Sequence, residues 1–386
     1  MKRHRVLLIV ESSLAFGRRL LSGIRQYLLE QPGWSVQLDL RELIVPEPAW
    51  LEGWDGDGII CRSTTPAMAK MLKTLQIPTV DLTDIYGDQG LPFIWNDDPA
   101  IGRLAAEHLL ERGFKRFGFC GFSDHAWSAG RRDGFTKAVQ ASGYDCDVYE
   151  SDWSDAREMG WDLQQEEISR WLRDVPKPVG IMACNDLRGQ HILDACSQMD
   201  LGAPENVAVI GVDDDQMLCH FCDPPLTSII PNAVQIGYEA ARMLDGLMQG
   251  TVPQTTGMRI EPIGVATRQS TDVLAIDDPL VATAVRFIRE NACRGVTVSD
   301  VLDAVPLSRS VLERRFRHYL NRSPQGEIRN VQLKRAKQLL SESELSIEEI
   351  ARLIGVKHAE YLSVLFKREV GQTPGEYRRK HPHVGG

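Results

Sequence analysis

Short apolar runs and helix-period stripes take turns along the first two-thirds of the chain. Val6–Val10 is an uninterrupted apolar run, and Leu20, Leu21, Ile24, Tyr27 and Leu28 follow at spacings that put them on one helix face. The alternation then repeats. Runs at Ile59-Ile60, Thr79–Leu82, Phe117–Cys120, Gly180–Ala183 and Val207–Val212 predict buried strands, and stripes within Ile101–Leu110, Phe135–Ala141, Ile168–Leu172, Ile192–Met199 and Ile236–Met248 predict helices between them. Such alternation predicts parallel sheets flanked by helices with right-handed crossovers. About 270 residues is long for one such sheet, so the expectation is an α/β unit of two lobes with a cleft between them.

Beyond a polar linker the pattern becomes helical throughout. Asp277-Asp278-Pro279 is a helix-start signal, followed by Val281, Val285, Phe287 and Ile288. Further on, Ser346 and Glu349 have the spacing of a capping box; Ile347, Ile350, Ala351 and Ile354 form one apolar face, and Gly355 supplies the positive φ of a tight turn. A second helix from about Ala359 would bury Leu362, Leu365 and Phe366. Together these predict a helix-turn-helix. About fifty residues earlier the arrangement recurs, with Val298, Val301, Leu302 and Val305 in the first helix and Ser308 capping a second that buries Leu312, Phe316 and Leu320. Pro306 stands where the later unit has Gly355, and its φ near −65° predicts a different turn. Val331, Leu333, Ala336, Leu339 and Leu340 predict a long helix joining the units. The expected domains are therefore residues 1–272 and residues 273–386, the latter all-α with two helix-turn-helix units.

Composition sharpens this division. The 386 residues carry a formal net charge of −9, but residues 281–386 hold 19 Lys+Arg against 12 Asp+Glu, leaving 25 against 41 in the rest. An acidic body with a basic tail is the footprint of a nucleic-acid module attached to a domain of another kind. No stretch approaches the roughly 20 apolar residues of a membrane span, and Val6–Val10 is too short for a secretory core, so a cytoplasmic protein is expected. Eight scattered cysteines read as reduced thiols; Cys219 and Cys222 alone have CxxC spacing, without the partners of a zinc site. No metal or cofactor is expected. GxGxxG, P-loop, HExxH and GxSxG motifs are absent, which argues against an enzyme.

In open α/β sheets ligands sit beyond the carboxyl ends of strands. Those positions hold Glu11, Ser12 and Ser13; Ser123-Asp124-His125 with Trp127 and Arg131; Asn185 and Asp186; and Asp213, Asp214 and Asp215. Carboxylates, an amide and a guanidinium suit a ligand rich in hydroxyls, and Trp127 suits a sugar's C–H face. Each also has a plainer reading: Asn185 and Asp186 as helix caps, Asp213–Asp215 as a turn, Trp127 and Trp95 as core.

Ile181–Asp186 (IMACND), Val207–Asp214 (VAVIGVDD), Pro225–Ile229 and Arg131–Phe135 (RRDGF) resemble the sensor core of the LacI/GalR regulators, which share their fold with type I periplasmic sugar-binding proteins. The resemblance covers roughly residues 5–270. It implies sugar contacts at Arg131, Asn185 and Asp213, with Glu11, Ser12 and Trp127 as further candidates. LacI/GalR chains open with a helix-turn-helix, whereas this one opens on the strand at Val6, so DNA binding is expected elsewhere.

Residues 279–380, with the ending Phe366-Lys-Arg-Glu-Val-Gly-Gln-Thr-Pro-Gly-Glu-Tyr377-Arg378, resemble the AraC/XylS DNA-binding domain. That resemblance puts base reading on Ser310, Glu313 and Arg314 in the first unit and on Ala359, Glu360 and Ser363 in the second. Arg314 can bond guanine O6 and N7 together, and Glu313 can accept from cytosine N4. Arg309, Arg315, Lys357, His358, Lys367 and Arg368 are candidates for phosphate. The module order resembles the XylR-type xylose operon regulators, closest through Asp278–Phe316. It implies a homodimer that binds double-stranded DNA and a sugar such as D-xylose, and that works with RNA polymerase if it activates. A different sugar, a repressor, or a sugar-binding protein without a regulatory role are the alternatives.

Overall fold

The computed structural model describes residues 3–41, 49–62, 64–153, 160–250, 257–272, 276, 278–343, 345–356 and 358–380. They fall into two compact units, Met1–Val273 and Leu274–Gly386.

The first unit is two α/β lobes threaded by one chain. The first lobe begins with β1 (His4–Glu11), α1 (Ala15–Glu30), β2 (Trp34–Arg41), β3 (Gly58–Cys61), α2 (Pro66–Leu75), β4 (Thr79–Asp81) and β5 (Phe93–Asn96). The chain then crosses to the second lobe for α3 (Asp98–Leu110), β6 (Phe117–Phe122), α4 (Ala126–Ala141), β7 (Cys146–Ser151), α5 (Gly160–Asp174), β8 (Val179–Ala183), α6 (Asp186–Gln198), β9 (Val207–Val212), α7 (Gln216–Phe221) and β10 (Thr227–Ile230). It returns for α8 (Ala233–Met248) and β11 (Gly257–Ile260), and crosses again to β12 (Gly264–Ala266). The sheets have orders β11-β5-β4-β3-β1-β2 and β12-β10-β9-β8-β6-β7. Every pairing is parallel except β10 with β12, an antiparallel edge.

The central strands carry continuous apolar runs because helices cover both faces. In β1, Val6, Leu7, Ile9 and Val10 are wholly inaccessible, and so is β9 from Val207 to Ile210. On α1 the expected stripe packs inward through Leu20, Ile24 and Tyr27 and meets Ile236, Ala240 and Leu244 of α8. Helices α3 and α4 approach closely because Gly134 faces Pro99: a Cβ there would lie 2.2 Å from the Pro99 carbonyl oxygen. That approach sets Arg131 of α4 beside Asp98 of α3.

The second unit is helical. It contains α9 (Pro279–Asn291), α10 (Val298–Ala304), α11 (Arg309–Leu320), α12 (Pro324–Glu342), α13 (Ile347–Leu353), α14 (Ala359–Val370) and α15 (Pro374–Lys380). Asp278 caps α9, its carboxylate accepting from the N–H groups of Leu280 and Val281 at 3.1 and 3.3 Å. Two cores form, one for each helix pair. Val301, Leu312, Phe316 and Ile328 lie in the first; Ala336, Leu340, Ile350, Leu362 and Phe366 lie in the second, so α12 serves both. The Ser346–Glu349 capping box is present, and Thr297 with Asp300 forms another at the start of α10. Gly355 has φ +71°, and a Cβ on it would lie 2.6 Å from the Gly295 nitrogen. The earlier helix-turn-helix turns differently, as Pro306 requires: Val305 is extended, and the Leu307 N–H donates to its carbonyl at 2.8 Å. Ser308 stands at the N-cap of α11 but its side chain makes no capping bond; its hydroxyl lies 3.4 Å from that of Ser310.

Candidate functional site

A cavity lies between the two lobes of the first unit, where the chain crosses from β5 to α3 and where β6, β8 and β9 end. Arg131, Trp127, Asn185 and Asp213 of the expected set border it. Arg131 is its electrostatic centre. The buried guanidinium donates from Nε to Asp98 Oδ1 at 2.9 Å and from Nη1 to the Cys184 carbonyl at 2.6 Å, and Nη2 lies 3.9 Å from Asp213 Oδ1. Burial opposes its charge, yet Asp98, Asp213 and Asp84 together hold its pKa above the usual arginine value. Burial also pushes the Asp213 carboxyl upward, against the pull of Arg131 and Arg62.

Asn185 fills both roles open to it. Its Oδ1 caps α6, accepting from the Arg188 N–H at 2.9 Å, while the residue lines the cavity. Asp186 points away from the cavity, fully engaged by the Ser228 hydroxyl at 2.6 Å and the Asp215 N–H at 2.9 Å. Trp127 has its ring under the Arg131 guanidinium at 4.7 Å, so the charge occupies a face that had been expected to meet a sugar. Glu11 and Ser12 stand outside the lining. Glu11 is completely buried, accepting from Arg62 Nη1 at 2.5 Å, from the Ser13 hydroxyl at 2.8 Å and from the Leu14 N–H, and it thereby aims Arg62 at the cleft. The Ser12 carbonyl accepts from Arg18 Nη1 at 2.8 Å.

The reading from strand ends missed most of the first lobe's contribution. Arg62, Thr83, Asp84, Trp95 and Asn96 line the cavity, and Trp153 joins them from beyond β7. Trp95 Nε1, Asn96 Oδ1, His125 Nε2 and Trp153 Nε1 are buried polar atoms without a hydrogen-bond partner in the protein. Buried polar groups are ordinarily satisfied, and four such atoms around one cavity call for a ligand that both donates and accepts. Phe16, Ile94 and Ile236 supply apolar wall. Donors, acceptors, carboxylates and aromatic rings together suit a neutral polyhydroxylated molecule.

Two sets of hydrogen bonds bridge the lobes. Arg19 of α1 donates from Nη1 to the Asp213 carbonyl at 2.9 Å and from Nη2 to the Asp214 carbonyl at 2.7 Å. The Ala126 N–H donates to the Ile85 carbonyl at 2.9 Å.

In the second unit α11 and α14 are the second helices of the two pairs. On α11, Ser310 and Arg314 are exposed, Arg309 pairs with Glu313 at 3.2 Å, and Arg315 is tied to the cap Asp278 at 2.6 Å. That last contact gives Arg315, a phosphate candidate, a partner within its own unit, as Glu313 does for Arg309. On α14, Glu360 and Lys367 are exposed, Ala359 and Ser363 are half-buried, and His358 is the exposed N-cap. Tyr361 and Val364, not singled out from the sequence, also face outward. Lys357 lies outside the described residues. Among the described residues no group of side chains could hold a metal ion, and no helix is long and apolar enough to cross a membrane. Cys219 and Cys222 are buried, and burial pushes the Cys222 thiol up to about 12, away from thiolate chemistry.

A ligand cleft in a periplasmic-binding-like fold, followed by paired helix-turn-helix units, defines a sugar-responsive DNA-binding transcription regulator. Family models agree: residues 106–271 match the periplasmic binding protein-like domain, and residues 301–380 match a helix-turn-helix domain. More particularly, the chain belongs to the family of the xylose operon regulatory proteins. It is 31% identical to that of Haemophilus influenzae (97% of this chain, 98% of the relative) and 32% identical to that of Escherichia coli K12 (99% of each). Among solved structures, that of the xylose-binding transcription activator XylR superposes with a TM-score of 0.83 at 30% identity, covering 99% of both chains. These relatives are regulators, not enzymes.

Proposed function

We propose that the chain senses an aldopentose, with D-xylose the first candidate, and as a cytoplasmic homodimer activates genes for its use through contact with RNA polymerase. The observation that carries the ligand class is the ring of partnerless polar atoms on Trp95, Asn96, His125 and Trp153 around Arg131 and Asp213. Xylose is supported by relatives alike over the whole chain and named xylose operon regulatory proteins, and activation by the solved structure named a xylose-binding transcription activator. In this reading Arg131, Asn185 and Asp213 bond sugar hydroxyls, assisted by Arg62, Asp84, Asn96 and His125. Sugar binding closes the cleft, and the closed lobes change how two C-terminal units meet DNA. Ser310, Glu313 and Arg314 read bases in the first unit and Ala359, Glu360 and Ser363 in the second, while Arg309, Lys357, His358, Lys367 and Arg368 meet phosphates.

A thermal-shift screen of the full chain against aldopentoses, aldohexoses, nucleotides and amino acids tests the ligand. A ligand bound only by the folded form raises the melting temperature. The proposal expects the largest shift with D-xylose. Shifts with nucleotides or amino acids and none with sugars would overturn it.

A further inference from the structure

Arg19 does not line the cavity, yet it bonds the backbone of Asp213, which does. It stands on α1 in the first lobe, one residue before the core anchor Leu20, and reaches across to the turn after β9 in the second lobe. Two parallel N–H groups of its guanidinium meet two successive carbonyl oxygens, those of Asp213 and Asp214, and Nη2 lies 3.7 Å from the Asp214 carboxylate. The turn it grips is an unusual one. Asp213 has φ +109° and Asp214 φ +48°, in a region that side-chain-bearing residues seldom occupy. On its other side the turn is held by Arg268, whose Nη2 donates to Asp214 Oδ1 at 2.6 Å, and by the Ser228 hydroxyl, which accepts from the Asp214 N–H at 2.9 Å. Those two partners belong to the same lobe as the turn; Arg19 belongs to the other.

We infer that Arg19 is a cross-cleft latch and a positioning residue for Asp213, making its two bonds only when the lobes are closed and so setting sugar affinity without touching sugar. The inference rests on the reading of the cleft as a sugar site. The bonds to Ser228 and Arg268 hold the turn in either lobe arrangement, whereas the Arg19 bonds require lobe closure at the spacing seen here. An interaction present only in the closed form raises the closed fraction, and apparent affinity scales with that fraction. Two charge-assisted hydrogen bonds, partly exposed, correspond to a change of about tenfold to a hundredfold in dissociation constant.

The test is calorimetric titration of the full chain with D-xylose, and with the other aldopentoses if D-xylose does not bind, comparing wild type with Arg19→Met and Arg19→Lys. Met keeps the aliphatic stem on α1 and removes both donors; Lys restores a charge but cannot bridge two carbonyls. The latch expects about tenfold or greater weakening in Arg19→Met and a smaller loss in Arg19→Lys. It also expects an unchanged melting temperature for the sugar-free protein, since the bonds are absent from the open form. A dissociation constant within about twofold of wild type in Arg19→Met overturns the latch. So does a sugar-free melting temperature that falls along with the affinity, because a merely structural contact would behave that way. Failure of the wild-type chain to bind any pentose would overturn the sugar reading itself, a result separable from either.

Discussion

Replacing Arg131 by Met separates the two tasks proposed for that side chain, holding the second lobe together and holding ligand. The guanidinium is buried and 2.9 Å from an Asp98 carboxylate that is equally inaccessible. Its removal strands the carboxylate, and breaking a buried pair from one side costs about 3–5 kcal/mol. At about 2–4 °C per kcal/mol for a unit of this size, the melting temperature should fall by roughly 6–20 °C. Adding Asp98→Asn removes the stranded charge, and most of the lost stability should return. Sugar binding should not, because the group facing the cavity beside Asp213 is still missing. Thermal unfolding at pH 7 and titration with D-xylose read the two effects on the same samples. Stability lost by less than about 1 kcal/mol in Arg131→Met, or sugar binding recovered in the double variant, would refute the assignment.

Other consequences can be checked as directly. Burial raises the Asp81 carboxyl from 3.8 to about 7, despite bonds from the Thr64 hydroxyl at 2.5 Å and the Thr83 N–H at 3.0 Å. A carboxyl whose pKa is higher folded than unfolded takes up a proton on folding between about pH 4 and pH 7, so stability declines as pH rises through that window. Asp81→Asn should therefore gain on wild type as pH rises from 5 to 8, by about 2–3 kcal/mol; a difference independent of pH would exclude it. Arg314→Ala should weaken binding to DNA selected by the full chain by about 1–3 kcal/mol and relax the choice at one base pair; equal loss on every sequence would assign Arg314 to phosphate instead. Gly355→Ala forces a side chain into a positive-φ turn and against Gly295, and should lower the stability of the C-terminal unit by about 1–3 kcal/mol while leaving sugar affinity in place. Denaturation followed alongside sugar titration checks both halves of that statement.

The fold was legible where burial leaves a periodic trace. The central strands β1, β3, β4, β6, β8 and β9 were apolar enough to read directly, whereas β2, β7 and β12 sit at sheet edges and carry mixed residues. In β2, Val36 and Leu38 remain exposed, so its alternation has no solvent-excluded face to mark it. Capping chemistry was equally readable, since Ser346 with Glu349 needs only local spacing; Ser308 shows its limit, a cap residue whose side chain makes no cap. The cavity was half legible. Arg131, Asn185 and Asp213 follow strands whose ends the pattern located. Arg62, Trp95, Asn96 and Trp153 come from short or edge segments, and only the meeting of two lobes brings them together. Glu11 shows a related limit: its strand-end position predicts a carboxylate facing ligand, but an arginine 51 residues away claims it. Arg315 likewise has a partner that local spacing does not reveal, the cap Asp278 37 residues earlier.

The claim that matters most is that one chain couples a sugar cleft to DNA reading, and linkage supplies its sharpest test. Sugar affinity should be measured with the full chain free and saturated with its selected DNA, and DNA affinity with and without saturating sugar. Coupling is reciprocal, so both pairs must change by one factor, expected at about 5–150-fold for a coupling of about 1–3 kcal/mol. A chain that binds its sugar and its DNA tightly, with neither affinity altered by the other ligand, would contradict the account.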